Sequence, residues 1–483
     1  MNLILLIFFS LLCLWAVYRY GLLHAGQENK DFHDTTEKKI QTDPDFVSGP
    51  DVRSSNRLVH FLSSHEKAVA AVLLAVGILI RVSFFWSVPD GLNQDEASIA
   101  YDTYADLTYG QDRNGDHNPV YSVAWGSGHS SLYITLSKPW IALFGLNVFT
   151  ARVTNVLFGV VALFAFYGIM RRMNRRAALV GLFLFAICPW HIMMSRWGLE
   201  CNLFPNVFLL GLYFLMRGLV RPRWYPAALF VFGLSLYAYG TSYMVVPVFL
   251  ILTAVYLLYH KKISWKMTVL SAAVFIITAI PIGIFMVINA FGLEELDLGF
   301  MTFPRLISGR YNTTVTVLGD HGLAAISANL ANLCRIIFVQ DDGLIWNAIP
   351  GYGTLYLFSA PFLFAGAFCV IRRAARLRSC FHPQALVLFM LAAALVLGAM
   401  SDLNINRANF IFLPLLILLA EGVYFVVQYA KLPGRFVLPV YLCAFLLFTG
   451  ISRSTARRSE EPFSPALAKP SCTPPTRRTA RCT

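Results

Sequence analysis

The chain has 483 residues, of which 57% are hydrophobic, 14% aromatic and only 13% charged, against about 25% charged in a soluble domain. The apolar excess gathers in runs of about 17–25 residues, enough to cross a hydrocarbon core of about 30 Å as helices; lipid offers the backbone no water, so such runs are helical, and a membrane barrel would alternate instead. The formal net charge of +13 falls in short clusters between those runs (Arg171, Arg172, Arg175 and Arg176; Arg217, Arg221 and Arg223; Lys261, Lys262 and Lys266; Arg372, Arg373, Arg376 and Arg378). That is the pattern of cytoplasmic loops, and it excludes a nucleic-acid surface.

In chain order, residues 1–26 read as a non-cleaved membrane anchor with its start outside, because Leu3 to Val17 has no basic residue before it and Arg19 after it. Residues 27–66 are polar, mixed in charge and read as a weakly ordered cytoplasmic linker. Residues 67–451 form the transmembrane domain, with spans near 68–88, 148–170, 177–194, 203–217, 226–240, 242–259, 267–290, 350–371, 384–400, 408–428 and 436–451. The fold class is therefore all-α and polytopic, with about 11–12 spanning helices. Residues 130–146 are apolar enough for a further span, but that would place the arginines after residue 170 outside, so they are expected as a helix on the outer surface with Trp140 in the interface. Outer loops are expected at 89–147 and 291–349. The tail, 452–483, is rich in Arg, Pro, Ser and Thr; it reads as a disordered basic terminus, or as a truncated or frameshifted end in place of further helices.

With this topology the acids sort to one face. Asp90, Asp95, Glu96, Asp102, Asp106, Asp112 and Asp116 fall in the first outer loop, and Glu200 in the second. Glu294, Glu295, Asp297, Asp320, Asp341 and Asp342 fall in the long outer stretch, Asp402 in the last outer loop, and only Glu421 inside a span. Acids barely influence topology, so this sorting is independent of the rule that set the orientation. It argues against the competing class, a transporter or lipid flippase, which holds charges at mid-membrane. The nine cysteines show no CxxC pair or zinc-ligand spacing, and no Gly-rich phosphate loop is present.

The strongest local signal is Gly91-Leu-Asn-Gln-Asp95-Glu96-Ala-Ser-Ile-Ala-Tyr101, directly after the first core span. Two adjacent carboxylates at the lip of the bilayer suit a base beside a metal ligand or cation partner; equally, acids favour the first turn of a helix. The pair resembles the signature of GT-C glycosyltransferases of the protein O-mannosyltransferase and lipid A aminoarabinose transferase type. Gly128-His129-Ser130-Ser131-Leu132-Tyr133 is similar to the family's Lys/His-Pro-Pro-Leu-Tyr segment, with serines for the prolines. Phe144-Gly145, Arg152 and Gly159 follow in order, then Cys188-Pro189 through Ser195-Arg196-Trp-Gly-Leu-Glu200, with Glu where the family has Asp. Tyr237-Ala-Tyr239-Gly240 and Asn404-Ile-Asn406-Arg407-Ala complete the ordered set, over about residues 65–430.

The resemblance implies transfer of a sugar from a polyprenyl-phosphate donor to a lipid, protein or polysaccharide acceptor, by single displacement, at the outer face of a cell membrane of bacterial inner-membrane type. It implies Asp95 and Glu96 as catalytic residues. A divalent metal ion (Mg, Mn or Zn) would be held by Glu96, Glu200 and His129, although an ordinary hydrogen bond is the simpler role for His129. Arg407, Arg196, Arg152 and Lys138, in falling order, are candidates for the donor phosphate, each with an alternative role as an interface anchor. Tyr101, Tyr133, Tyr237, Tyr239, Asp341 and Asp342 are candidates for the donor and acceptor pocket; Asp341-Asp342-Gly343 also reads as a solvated turn, and the two tyrosines after residue 236 as an aromatic belt. Asn312-Thr313-Thr314 matches a glycosylation sequon.

Overall fold

The computed structural model describes residues 2–24, 64–125, 127–306, 322–344, 347–375, 381–430 and 433–458. Most of the linker, the Asn312 sequon, Asp320, Arg376, Arg378 and the tail beyond residue 458 lie outside these residues.

The protein is an all-α, polytopic membrane protein. Its helices are α1 (Asn2–His24), α2 (Glu66–Val82), α3 (Gln94–Tyr109), α4 (Ser131–Phe144), α5 (Val148–Met173), α6 (Ala178–Ala186), α7 (Pro189–Arg196), α8 (Glu200–Gly218), α9 (Trp224–Ser235), α10 (Ser242–Tyr259), α11 (Trp265–Phe291), α12 (Gly322–Phe338), α13 (Ala360–Ala374), α14 (Ala385–Met400), α15 (Phe412–Tyr429) and α16 (Val437–Arg458). Two short antiparallel hairpins interrupt them: β1 (Tyr121–Ala124) with β2 (Ser127–Ser130), and β3 (Leu296–Asp297) with β4 (Thr302–Phe303).

The expected 11–12 spans exceed what length and composition support. Among the described residues six helices are long and apolar enough to cross a membrane, and a seventh arises if α6 and α7, bent by 53°, make one broken span. The others are shortened or interrupted. Helix α2 has only 17 residues and carries Glu66 in its first turn and Arg81 in its last; α8 begins on Glu200 and contains Pro205. The stretch 291–349, read as an outer loop, contains the apolar helix α12. Its Asn329 and Asn332 donate to the Ala399 and Leu403 carbonyls at 3.0 and 2.6 Å, polar anchoring that hides the helix from a hydropathy count. At the C-terminal side, α16 runs on to Arg458, so the helix extends past residue 451 into the first part of the expected tail.

Helix α1 is more than an anchor. Asn2 donates to the Gly351 carbonyl at 2.7 Å, Phe9 packs between Phe358 and Phe362, and Arg372 lies 4.5 Å from the Tyr20 ring. The helix therefore runs parallel to α13, starting at the end remote from the basic clusters. Helix α4 packs its Trp140 against the Phe85–Val153–Val156 cluster. Glu421, the acid inside a span, is buried and accepts Arg373 at 3.0 Å and Asn174 at 2.8 Å.

The α6–α7 break exposes carbonyls that have no helical partner, inside a bundle with no water to replace it. Buried Arg81 supplies the donors, reaching the Ala186 and Phe185 carbonyls at 3.1 and 2.9 Å and His191 Nδ1 at 2.7 Å. Tyr356 Oη donates to the Ile187 carbonyl at 2.8 Å. Arg81→Met strands two buried acceptors and is expected to cost about 2–5 kcal/mol, read as a lowered thermal midpoint in detergent; an unchanged midpoint would refute this role.

Candidate functional site

Helix α3 starts immediately after the chain leaves α2. Asn93 caps it, its Oδ1 accepting the Asp95 amide at 2.9 Å, while the Asn93 amide donates to Glu96 Oε2 at 2.9 Å. This reciprocal capping box assigns the two adjacent acids opposite fates. Asp95 is exposed in the first turn; Glu96 is 1% exposed.

Glu96 is held from every side. Arg152 Nε and Nη2 donate to its two oxygens at 3.0 and 3.1 Å, and the Gly198 amide donates to Oε1. A Cβ at position 198 would stand 2.4 Å from the Ala151 carbonyl oxygen, so only glycine lets this backbone come so close. Arg152 spends its remaining donors on the carbonyls of Phe85, Pro89 and Gly91, at 3.1 and 2.7 Å for the first two, and its guanidinium lies 5.2 Å from the Trp197 ring centroid. These five bonds use every N–H the side chain has. Arg152 is therefore a clamp on the turn before α3, which corrects its expected role at the donor phosphate, and Glu96 is a structural partner instead of an open acid.

The three expected metal ligands do not converge. Glu200 accepts the Ser130 amide, and His129 Nε2 sits 3.0 Å from Ser98 Oγ, while Glu96 is committed to Arg152. Among the described residues no three His, Cys, Asp or Glu side chains are grouped to hold a metal ion. The expected divalent site does not fit these residues.

Of the other cations, Arg196 Nη2 donates to the Ile80 and Ser83 carbonyls at 2.6 and 3.1 Å, tying off the end of α2. Arg407 is half-buried and donates to the Asp402 carbonyl at 3.2 Å. Lys138 pairs with Asp106 at 2.6 Å. Tyr133 is buried, its Oη donating to the Ala151 carbonyl at 2.7 Å, so it is packing and not pocket. Tyr101 is exposed beneath the Arg113 guanidinium, and Tyr239 is half-buried. Asp341 accepts the Gly343 amide at 2.8 Å, and Asp342 accepts Asn347 Nδ2 at 2.6 Å and the Ile405 amide at 2.9 Å. These two acids thus make the turn and tie the loop before α13 to the loop after α14.

What sequence reasoning missed is a cavity of about 360 Å³ between the segment after α2 and the membrane helices. Asp102, Asp106, Asp112, Ser122 and Lys138 line its polar side; Leu234, Tyr237, Thr278 and Pro281 of the α9–α11 region line its apolar side. Of the expected pocket tyrosines only Tyr237 reaches it, with its Oη donating to the Thr278 carbonyl at 2.7 Å. A sequence signal existed: Asp102 and Asp106 are four apart on one helix, as are Ile134 and Lys138 on the next, so each pair shares a face.

The acids of this wall are coupled. Asp102 accepts Arg113 Nε at 2.6 Å, and Ser122 Oγ lies 3.2 Å from Asp102 Oδ2 and 3.0 Å from Asp112 Oδ2. One hydroxyl proton cannot serve both carboxylates. Burial pushes the Asp102 carboxyl up, against the Arg113 hydrogen bond and charge that lower it, and the neighbouring Asp112 charge adds to the rise. Asp116 is pushed up to about 6, by burial first and then by Asp112, Glu295 and Asp297.

Residues 134–285 match the family described as dolichyl-phosphate-mannose-protein mannosyltransferase. The resemblance is to membrane glycosyltransferases. The GT-C-like motifs around His129–Tyr133 and Asp95–Glu96 precede the matched segment, which begins within α4 and takes in Lys138, Arg152, Arg196, Glu200, Tyr237 and Tyr239. No curated protein matches. Among solved structures, the chain is similar to ArnT from Cupriavidus metallidurans in the apo state, at 15% identity and a TM-score of 0.46, covering 75% of this chain and 60% of that one. It is also similar to the oligosaccharyltransferase AglB from Archaeoglobus fulgidus in complex with an inhibitory peptide and a dolichol-phosphate, at 14% identity and a TM-score of 0.49, covering 80% of this chain and 56% of that one. The chain thus spans less than two thirds of the length of either structure.

Proposed function

We propose that the protein is a glycosyltransferase that moves a sugar from a polyprenyl-phosphate donor to a cell-envelope acceptor on the extracytoplasmic face. The observation that carries this is the cavity, polar on its loop side and apolar on its membrane side, much of whose lining falls within the matched segment. A substrate with a hydroxyl-rich head and a hydrocarbon tail meets matching chemistry on both walls. The basic clusters at Arg171–Arg176 lie at the far end of α5 from the Glu96–Arg152 pair, and the positive-inside rule then supports an outer-face site.

In the proposed displacement, the Asp95 carboxylate takes the proton of the acceptor hydroxyl. That oxygen bonds to the anomeric carbon as the bond from carbon to lipid phosphate breaks, and the electron pair leaves on the phosphate. Asp95 precedes Asp102 on α3 by seven residues, about 10 Å at 1.5 Å per residue. The cavity therefore holds a part of the substrate two turns from the base, and binding there orients the reacting end. Lys138 and Arg407 remain the candidate cations for the leaving phosphate; no step is routed through a metal.

The test is sugar release from a radiolabelled panel of polyprenyl-phosphate sugars in proteoliposomes with envelope extract as acceptor. Acceptor-dependent transfer supports the reading, and its absence across the panel with folded protein overturns it. Thr135→Trp, which fills the cavity from α4, is expected to raise KM for the processed substrate at least about tenfold, roughly 1.4 kcal/mol of lost binding; an unchanged KM would separate the cavity from the reaction.

A further inference from the structure

The β3–β4 hairpin lies across the first outer loop. The Thr302 amide donates to the His117 carbonyl and the Val120 amide to the Thr302 carbonyl, both at 3.0 Å, and Asn118 Nδ2 reaches the Phe300 carbonyl at 3.2 Å. Between these bonds Met301 forms part of the cavity wall. The hairpin's base is fixed to α11, where Asn289 Nδ2 donates to the Pro304 carbonyl at 3.1 Å and Asn289 Oδ1 accepts the Leu306 amide at 2.8 Å. Its tip is exposed, with Phe300 67% accessible and Gly299 in the left-handed region at φ +79°. The base is thus anchored and the second strand is seated by buried Thr302 and Phe303, while among the described residues the three bonds above join the hairpin to the loop.

The charges across that seam are alike. Asp116 on the loop side feels the charges of Glu295 and Asp297 on the hairpin side, and that of Asp112 on its own loop; the pairing of Asp297 with Thr302, which bonds His117, brings these segments together. On the loop, Arg113 is committed to Asp102 at 2.6 Å; His117 lies beside Asp116 and opposes the repulsion. On the hairpin, Asp297 Oδ1 is engaged in its own turn with the Gly299 amide at 2.8 Å, and Glu294 precedes the strand at the rim of α11. Three hydrogen bonds, each worth about 0.5–1.5 kcal/mol net, and the burial of Phe303 are set against like-charge repulsion between half-buried Asp116 and the exposed Glu295 and Asp297.

We propose that the 296–303 hairpin is a lid on the cavity, docked on the first outer loop when the facing acids carry less negative charge and loosened when all are ionised. Asp116 is the group that titrates in the relevant range. Its carboxyl in the docked state is raised to about 6, so the docked state binds the proton more tightly than the open one. Docking gains as pH falls through about 6, and the gain is complete below the ordinary carboxyl value of about 4. Above 6 the repulsion acts in full. The lid does not depend on which reaction the cavity serves, so its failure and that of the transferase reading are separate results.

The experiment is a double electron–electron resonance distance between spin labels at Gln111→Cys and Phe300→Cys in the full chain, in nanodiscs, with the native cysteines replaced. Spectra are taken more than a pH unit below and above 6. The expected result is one short distance at the lower pH and a broadened, longer distribution at the higher pH, with Asp116→Asn giving the single short distance at both. A wild-type distribution that does not change with pH, or an Asp116→Asn protein that keeps the wild-type response, overturns the proposal.

Discussion

Asp95→Asn is expected to lower sugar transfer by about 10²–10⁴-fold, the range for loss of a general base, and to leave the fold intact. Among the described residues the exposed Asp95 side chain has no bonding partner; the hydrogen bond at this residue is made by its backbone amide to Asn93. The stability cost is that of one charge in the first turn of a helix, about 0.3–1 kcal/mol. Activity and thermal midpoint measured on the same preparation decide the matter. A variant with transfer near wild type would remove Asp95 from the reaction, and a variant that loses activity together with its fold would show the residue to be structural.

The neighbouring acid is expected to behave in the opposite way. Glu96→Ala or Arg152→Met breaks a buried pair whose side chains are both 0% exposed and leaves one charge uncompensated, at a cost of about 3–5 kcal/mol. Because each variant destroys the same interaction, the double variant should cost clearly less than the sum of the two. Thermal unfolding of the four proteins in detergent measures this directly. Additive losses would show that the pair is not coupled. The activity loss in these variants should follow the unfolded fraction and the slackening of the 85–98 turn. A Glu96→Gln protein of wild-type stability with its rate abolished would instead return Glu96 to the reacting atoms.

The contrast between two adjacent carboxylates shows how far local sequence reaches. Both lie in Gly91-Leu-Asn-Gln-Asp-Glu, and both were candidates for chemistry. A helix start was legible there, since acids favour the first turn. The partner that removes Glu96 from solvent is 56 residues away, and nothing in its neighbourhood announces it. Arg81 is similar: its place near the end of the first core helix was evident, but the broken helix whose carbonyls it satisfies is more than a hundred residues on.

What the amino-acid sequence determined by itself is the part governed by short-range rules. Long apolar runs must become helices in lipid, basic clusters mark one end of the spans, and acids favour the first turn of a helix. These give an all-α membrane protein with an adjacent pair of acids at a helix start. Only the tertiary structure decided which acids were taken up in pairs, that Glu96, Glu200 and His129 do not meet, that an apolar helix lies within the stretch read as an outer loop, and that Asp102, Asp112 and Lys138 share a cavity wall. The physical reason is that burial and pairing of a side chain depend on elements brought together from far along the chain, whereas helix formation in a membrane is settled within each segment.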